Sequence, residues 1–302
     1  MNKLMWGLFL TILVASICGC SSDEFVNQGS QVTYAEVHVD FFQKSMTALS
    51  KPATRASETE QANLKKNFKR LDIAFIPKEK VSGLVKDTIY TFSQTVSEEN
   101  FGKVSVKLPV GKYVMVAIAN KADKAVAIND KAIVTFPNNK VTDMAYAYQE
   151  LELGKDGAKI DGTMKRAVAK FFLKATDVKG ANMTSMLISC KGKCNNSFDS
   201  QKGFGVDGGE FTYSVKYDIS SINPVKPTAT FYVLPVESSS NYTINITLYD
   251  KDENILKALE FDKVSLAQNY VTTYTGKLFS TEADGIFGIS ADYEEGDEKT
   301  FE

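Results

Sequence analysis

VTYAEVHVDFF at residues 32–42 puts Val37, Val39 and Phe41 on one side of an extended backbone and Glu36, His38 and Asp40 on the other. An apolar–polar period of two marks a strand with one buried face. The same texture returns in RLDIAFIP (70–77), SVKLPVGKYVMVAIAN (105–120), KRAVAKFFLKATD (165–177), MTSMLISC (183–190), FTYSVKYDIS (211–220), TATFYVLPV (228–236) and YTINITLYDKDENILKALEF (242–261). Turn residues separate these runs. Residues 250–254 read as a hairpin turn. Two apolar strands flank Pro109-Val110-Gly111, where proline fixes one φ and glycine supplies an angle that other residues resist. Regular short strands of this kind predict an all-β chain built as sandwiches.

The 302 residues, 43% of them hydrophobic, can build one large or two medium cores. The strand–turn–strand unit around Pro109 is common in transthyretin-like sandwiches, and the expected architecture is two tandem domains of that type. The segment NNKVTDMAYAYQELELGKDG (138–157) is read as the divide, giving an N-terminal domain over 32–157 and a C-terminal one over 158–302. Within the first, residues 44–66 are polar and basic with no strand period. They read as an exposed linker, the kind of segment that proteases find first. A net charge of −2 does not suit a nucleic-acid partner. Seven prolines and mixed charge argue against a long disordered stalk.

The first residues have another logic. Asn2 and Lys3 precede an apolar stretch of roughly 12 residues that closes on small side chains, the layout of a secretory signal over 1–19. A spanning helix needs about 20 apolar residues, and Asp23 and Glu24 arrive too soon. Ile17-Cys18-Gly19-Cys20 resembles the lipobox of bacterial lipoproteins, with Cys18 standing where Ala, Ser or Gly is usual. The resemblance implies lipid attachment at Cys20, an acylated tether over 20–31 and an outer-membrane location. Ser21-Ser22-Asp23-Glu24 resembles the acidic signal that sends Bacteroidetes-type lipoproteins to the cell exterior. Two or three acyl chains, at about 0.8 kcal/mol per buried CH2, hold a protein on a bilayer stably.

Two cysteines remain, Cys190 and Cys194 in SCKGKCN, where their side chains could meet across a short turn. A local disulfide and a pair of free thiols are both open there, and an envelope location permits the former. A zinc site would need more Cys or His nearby, and the one histidine, His38, lies on the polar face of its strand. No metal or other cofactor is expected. No G-x-S-x-G elbow, P-loop or H-E-x-x-H is present. A carboxylate pair could hydrolyse a glycan, but 37 acidic residues leave no pair to single out. A non-enzymatic protein is expected.

The order of a lipobox, an N-terminal strand, Thr54-Arg55-Ala56 in a linker, LPVGKYVMVAIAN, KRAVAKFFLKATD and NYVTTYTGKLF (269–279) resembles the fimbrillin superfamily over nearly the whole mature chain. These are two-domain subunits of Bacteroidales-type fimbriae and related anchor and tip lipoproteins. The resemblance implies a cell-surface subunit whose partners are other fimbrial subunits, joined by addition of a strand to a sheet. In such proteins an Arg-specific protease cuts the linker and releases the first strand; here Arg55-Ala56 is the candidate position. Anchor subunits keep strand and lipid instead. The acidic run at 294–298 leaves little apolar alternation for a long donor strand, which favours an anchor or accessory role over a shaft subunit. Asp87-Thr88-Ile89 resembles the O-glycosylation acceptor of the same bacterial group, with Thr88 the modified residue. The competing reading is a glycan-binding surface lipoprotein of a nutrient-uptake system, which would share lipobox and sandwiches. Most of the aromatics fall at strand period, however, and the one Trp, Trp6, lies in the signal.

Overall fold

The computed structural model describes residues 32–43, 64–79, 88–222, 228–280 and 288–291. Cys20, Arg55 and Ala56 lie outside these described residues, as do 44–63 of the expected linker. The N-terminal part runs β1 (Tyr34–Gln43), β2 (Arg70–Pro77), β3 (Tyr90–Thr95), β4 (Lys103–Pro109), β5 (Gly111–Asn120), β6 (Ala127–Ile128), β7 (Ile133–Thr135), β8 (Met144–Leu153) and β9 (Ala158–Arg166). Seven of these form one sheet in the order β3-β2-β5-β8-β9-β1-β4. Only Ala145–Arg166 and Tyr146–Lys165 join β8 to β9. The sheet folds over at that short clasp, so β4-β1-β9 face β3-β2-β5-β8 across a core of Val37, Val39, Phe41, Leu71, Ile73, Phe75, Tyr113 and Met115.

The C-terminal part continues with β10 (Ala169–Ala175), β11 (Ser185–Gly192), β12 (Cys194–Asn195), β13 (Ser197–Asp199), β14 (Phe204–Gly205), β15 (Phe211–Asp218), β16 (Thr228–Pro235), β17 (Ser239–Tyr249), β18 (Ile255–Ala267), β19 (Val271–Gly276) and β20 (Gly288–Ala291). Its sheets are β12-β16-β10-β19-β20 and β15-β11-β17-β18. The path is the one already taken. In each sandwich the first strand is central, parallel to the last long strand (β1 to β9, β10 to β19) and antiparallel to another (β4, β16). The facing sheets, β3-β2-β5-β8 and β15-β11-β17-β18, also correspond strand for strand. The chain is thus all-β, two tandem sandwiches of the expected transthyretin-like kind.

The near-continuous apolar runs in β2 and β5 have a direct cause. Leu71, Ile73, Phe75, Tyr113, Met115 and Ala117 enter the first core, while the alternate residues Ala74, Ile76, Val114, Val116 and Ile118 enter a second core shared with β10, β11, β16 and β17. A sheet covered on both faces loses the polar half of its alternation. A small sheet, β14-β13-β7-β6, takes half its strands from each part of the chain. In it Val134 sits beside Phe198, both fully buried. Ser200 Oγ donates to Ala132 O at 2.6 Å, Val141 N–H donates to Tyr213 Oη at 2.7 Å, and the Tyr146 and Phe198 rings meet edge to face at 4.8 Å.

Three expectations need correction. The break at residue 158 coincides with the start of β9, which pairs with β1; the chain passes from one sandwich to the other at Ala167–Val168, between β9 and β10. Residues 144–153, read as part of a divide, form β8, paired along its whole length with β5. The end of the expected linker is not structureless: residues 64–67 make a helical turn that leaves Lys65 and Lys66 exposed but buries Leu64, and Phe68 just after it, in the first core. Pro109-Val110-Gly111 does separate two strands, and it carries the chain between facing sheets, because β4 pairs with β1 while β5 pairs with β2 and β8.

Candidate functional site

The strand that precedes the linker occupies an unusual place. β1 is the middle strand of its layer, with residues 34–40 antiparallel to 109–103 of β4 and residues 37–43 parallel to 158–164 of β9. Its ladder is extended by Phe41 N–H donating to Gly102 O at 2.7 Å. Neither neighbour adjoins β1 in the chain, since β2 and β3 intervene before β4, so β1 belongs to no hairpin. It is a segment slotted between strands that come later in the chain.

The slot is shaped to its occupant. Ala35, Val37, Val39 and Phe41 point inward and are buried; fully burying a Val or Phe contributes about 1.5–3 kcal/mol each. Phe41 stands beside Gly162 in register. A Cβ at Gly162 would lie 2.3 Å from Phe41 Cδ1 and 2.7 Å from its Cε1, so the ring occupies the space that any other residue would fill. At the other end Gly157, with φ +82°, lets the backbone pass the Glu36 carbonyl, where a Cβ would come within 2.5 Å of the oxygen. A glycine inside a strand commonly marks such a close approach. That is the signal in IDGTM from which Gly162 could have been found.

The outward face of the slot is polar and open. His38, Asp40, Asn100, Lys103, Ser105 and Lys159, with Val39 and Val104 beneath them, line a cleft of about 410 Å³. His38 is exposed, as its polar-face position predicts, yet it has a hydroxyl neighbour that the sequence did not reveal. Ser105 Oγ lies 2.8 Å from its Nδ1, and Glu36 Oε2 lies 3.4 Å from its Nε2. Ser105 and Lys107 are the cross-strand partners of His38 and Glu36, which are neighbours on β1, each about half exposed (52% and 53%), with Glu36 3.8 Å from Lys107 Nζ. Solvent leaves such contacts weak, and the arrangement ties β1 to β4 without drying a nucleophile.

The remaining candidates are scattered. Thr88 is exposed just before β3, while Asp87 is outside the described residues. Cys190 and Cys194 are far from the slot and fully buried; both are thiols, with the sulfurs 3.9 Å apart. They do not face each other across a hairpin. Gly192, at φ +149°, lets the chain leave β11 in one sheet and enter β12 in the opposite one, so the two sulfurs meet between the sheets. The hydrogen bond with Cys194, then burial, push the Cys190 thiol well above the ordinary range.

Residues 31–301 match a family described as of unknown function, DUF6562. No curated protein matches the chain. Among solved structures, a candidate adhesin from Bacteroides ovatus is 14% identical, with 82% of this chain and 88% of that one covered and a TM-score of 0.46. The fimbrial anchor protein Mfa2 from Porphyromonas gingivalis is 12% identical, with 85% and 95% covered and a TM-score of 0.43. A candidate polysaccharide-binding protein from Bacteroides thetaiotaomicron is 9% identical, with 86% and 99% covered and a TM-score of 0.45.

Proposed function

This chain belongs to DUF6562, a family of unknown function, and from that premise we propose that it is a lipid-anchored cell-surface protein that serves as an anchor or accessory subunit of a fimbria, joining its neighbours by addition of a strand. One observation carries the reading: β1 is central in its layer, belongs to no hairpin and directly precedes the segment that holds Arg55. A strand so placed can leave through a single cut and open a slot with unpaired backbone groups on both sides. Strand addition satisfies those groups and sets register by the alternate side chains.

The same placement distinguishes two fates. With the chain intact, a lipid on Cys20 is continuous with β1, and the body is held at the outer membrane through it. With the chain cut between Arg55 and Ala56, lipid and β1 leave together and a neighbour's strand takes the slot. The acidic tail at 294–298 favours the first fate. O-glycosylation at Thr88, which is exposed, is compatible with either.

Mass spectrometry of the mature N-terminus from the native host tests this. The expected result is an acylated Cys20 on a peptide contiguous with residues 32–42. An unmodified chain beginning at Ala56 overturns the anchor role and leaves a processed fibre subunit; a chain with neither feature overturns both. Co-isolation with fimbriae, against retention on an immobilised polysaccharide, separates this function from glycan binding.

A further inference from the structure

The strand-addition reading above says that a strand can enter the slot, and the slot also has features that choose which. Two of its properties are independent of the fimbrial argument. The inward positions of β1 are graded in size, from Ala35 through Val37 and Val39 to Phe41. The large end is matched on β9 by the one residue type that leaves room for a ring, Gly162, two residues after buried Ile160 and two before buried Met164 on the same face. Phe41 shares its fully packed core with Phe101, Phe68 and Leu64, and Leu64 and the Phe41 backbone both close on Gly102, so the ring cannot swing aside from an added Cβ without displacing packed neighbours. Close packing makes that costly.

We propose that Gly162 is the specificity-determining residue of the slot: it forms an aromatic socket that admits strands with a small or β-branched residue at three alternate positions and an aromatic ring at the fourth. In the uncut chain the occupant is β1 itself; once the chain is cut after it, the partner is a strand of another polypeptide with the pattern of AEVHVDF, running parallel to β9 and antiparallel to β4. Its ring must fall beside Gly162. A one-residue slip turns every inward side chain to solvent, and a two-residue slip toward β9's start sets the ring against Ile160. The socket thus fixes register as well as identity.

The inference rests on the strand-addition reading, and the test separates them. A protease site is placed among residues 44–63 of the full chain, the chain is nicked, and uptake of fluorescent synthetic peptides of residues 32–43 is measured. The peptide of native sequence should displace β1, and a Phe41→Ala peptide should bind on the order of 100-fold more weakly, as expected for truncating a buried ring. In a Gly162→Ala chain the preference should narrow or reverse, because the native peptide now clashes while the truncated one does not. Uptake that is indifferent to residue 41 in the native chain overturns the socket and leaves strand addition standing. Uptake of neither peptide overturns both. If Gly162→Ala does not fold, a native-chain series of Phe, Tyr, Leu, Val and Ala at position 41 decides alone, with the two aromatics expected above every aliphatic.

Discussion

Asp72 is an acid in the middle of an apolar strand, 3% exposed. It persists because its carboxylate is fully used: Oδ1 accepts from Arg70 Nη2 at 3.1 Å and Ser93 Oγ at 2.7 Å, and Oδ2 accepts from Asn120 Nδ2 and Val126 N–H, each at 3.2 Å. Removing one partner of a buried pair strands the other, so Asp72→Ala should cost about 3–5 kcal/mol, read as a lower urea midpoint at unchanged slope. Asp177 plays a comparable part nearer the surface. Burial opposes its ionisation, but the N–H groups of Ser280, Leu278 and Phe279 outweigh it and hold the carboxyl below the usual carboxylate range. A depressed folded-state pKa means stability that is fully present above the unfolded-state value of about 3.9 and lost as pH falls through the folded value. The stability gap between native chain and Asp177→Asn should therefore be flat from about pH 5 to 7 and close in stronger acid, as thermal unfolding at several pH values would show.

At the scale of elements, the pair of thiols between β11 and β12 is positioned to join the two sheets of the second sandwich. Oxidation would need only a small approach of sulfurs now 3.9 Å apart, against a bond of about 2.05 Å. A protein purified without reductant from an oxidising compartment should carry an intact Cys190–Cys194 bond by peptide mass mapping, and two alkylatable thiols would refute it. Strand existence was readable from alternation in VTYAEVHVDFF, FTYSVKYDIS and TATFYVLPV, because each has one face on a core. Pairing was not. β1 meets β9 more than a hundred residues later, and no local pattern encodes that distance. β8 was missed although MAYAYQELEL alternates, because its polar second half resembles a loop. SCKGKCN suggested a reversal, but Gly192 takes an angle that sends the chain across the sandwich instead.

For the whole molecule the question is whether two sandwiches behave as one. The shared sheet β14-β13-β7-β6, the common core on the outer faces of β2 and β5, and Gln268 Nε2 donating to Ala167 O at the junction all couple them. Unfolding should be a single cooperative transition. Phe198→Ala, which empties a fully buried ring site at that shared sheet, should lower stability by about 3–5 kcal/mol and bring a second transition into calorimetry; an unchanged single peak would place the coupling elsewhere. The candidate site was legible in part at this scale: the order of strand, basic linker and apolar run pointed to β1, whereas the glycine socket opposite it became apparent only once β9 was seen alongside.

The position of β1 also has a mechanical meaning. A tension on Tyr34 directed along the strand axis loads the backbone bonds to β4 and β9 together, in shear, because the ladders on both sides run parallel to the pull. Hairpin strands pulled from one end peel open bond by bond; a strand clasped on two edges yields only when many bonds fail at once. Phe41, lodged beside Gly162 at the far end, acts as a stop that must pass beneath the smaller Val39 and Val37 sites to escape toward the N-terminus. The joint is therefore strongest to a pull along the strand from its N-terminal end, and weakest to a sideways force that unzips the edge at β4.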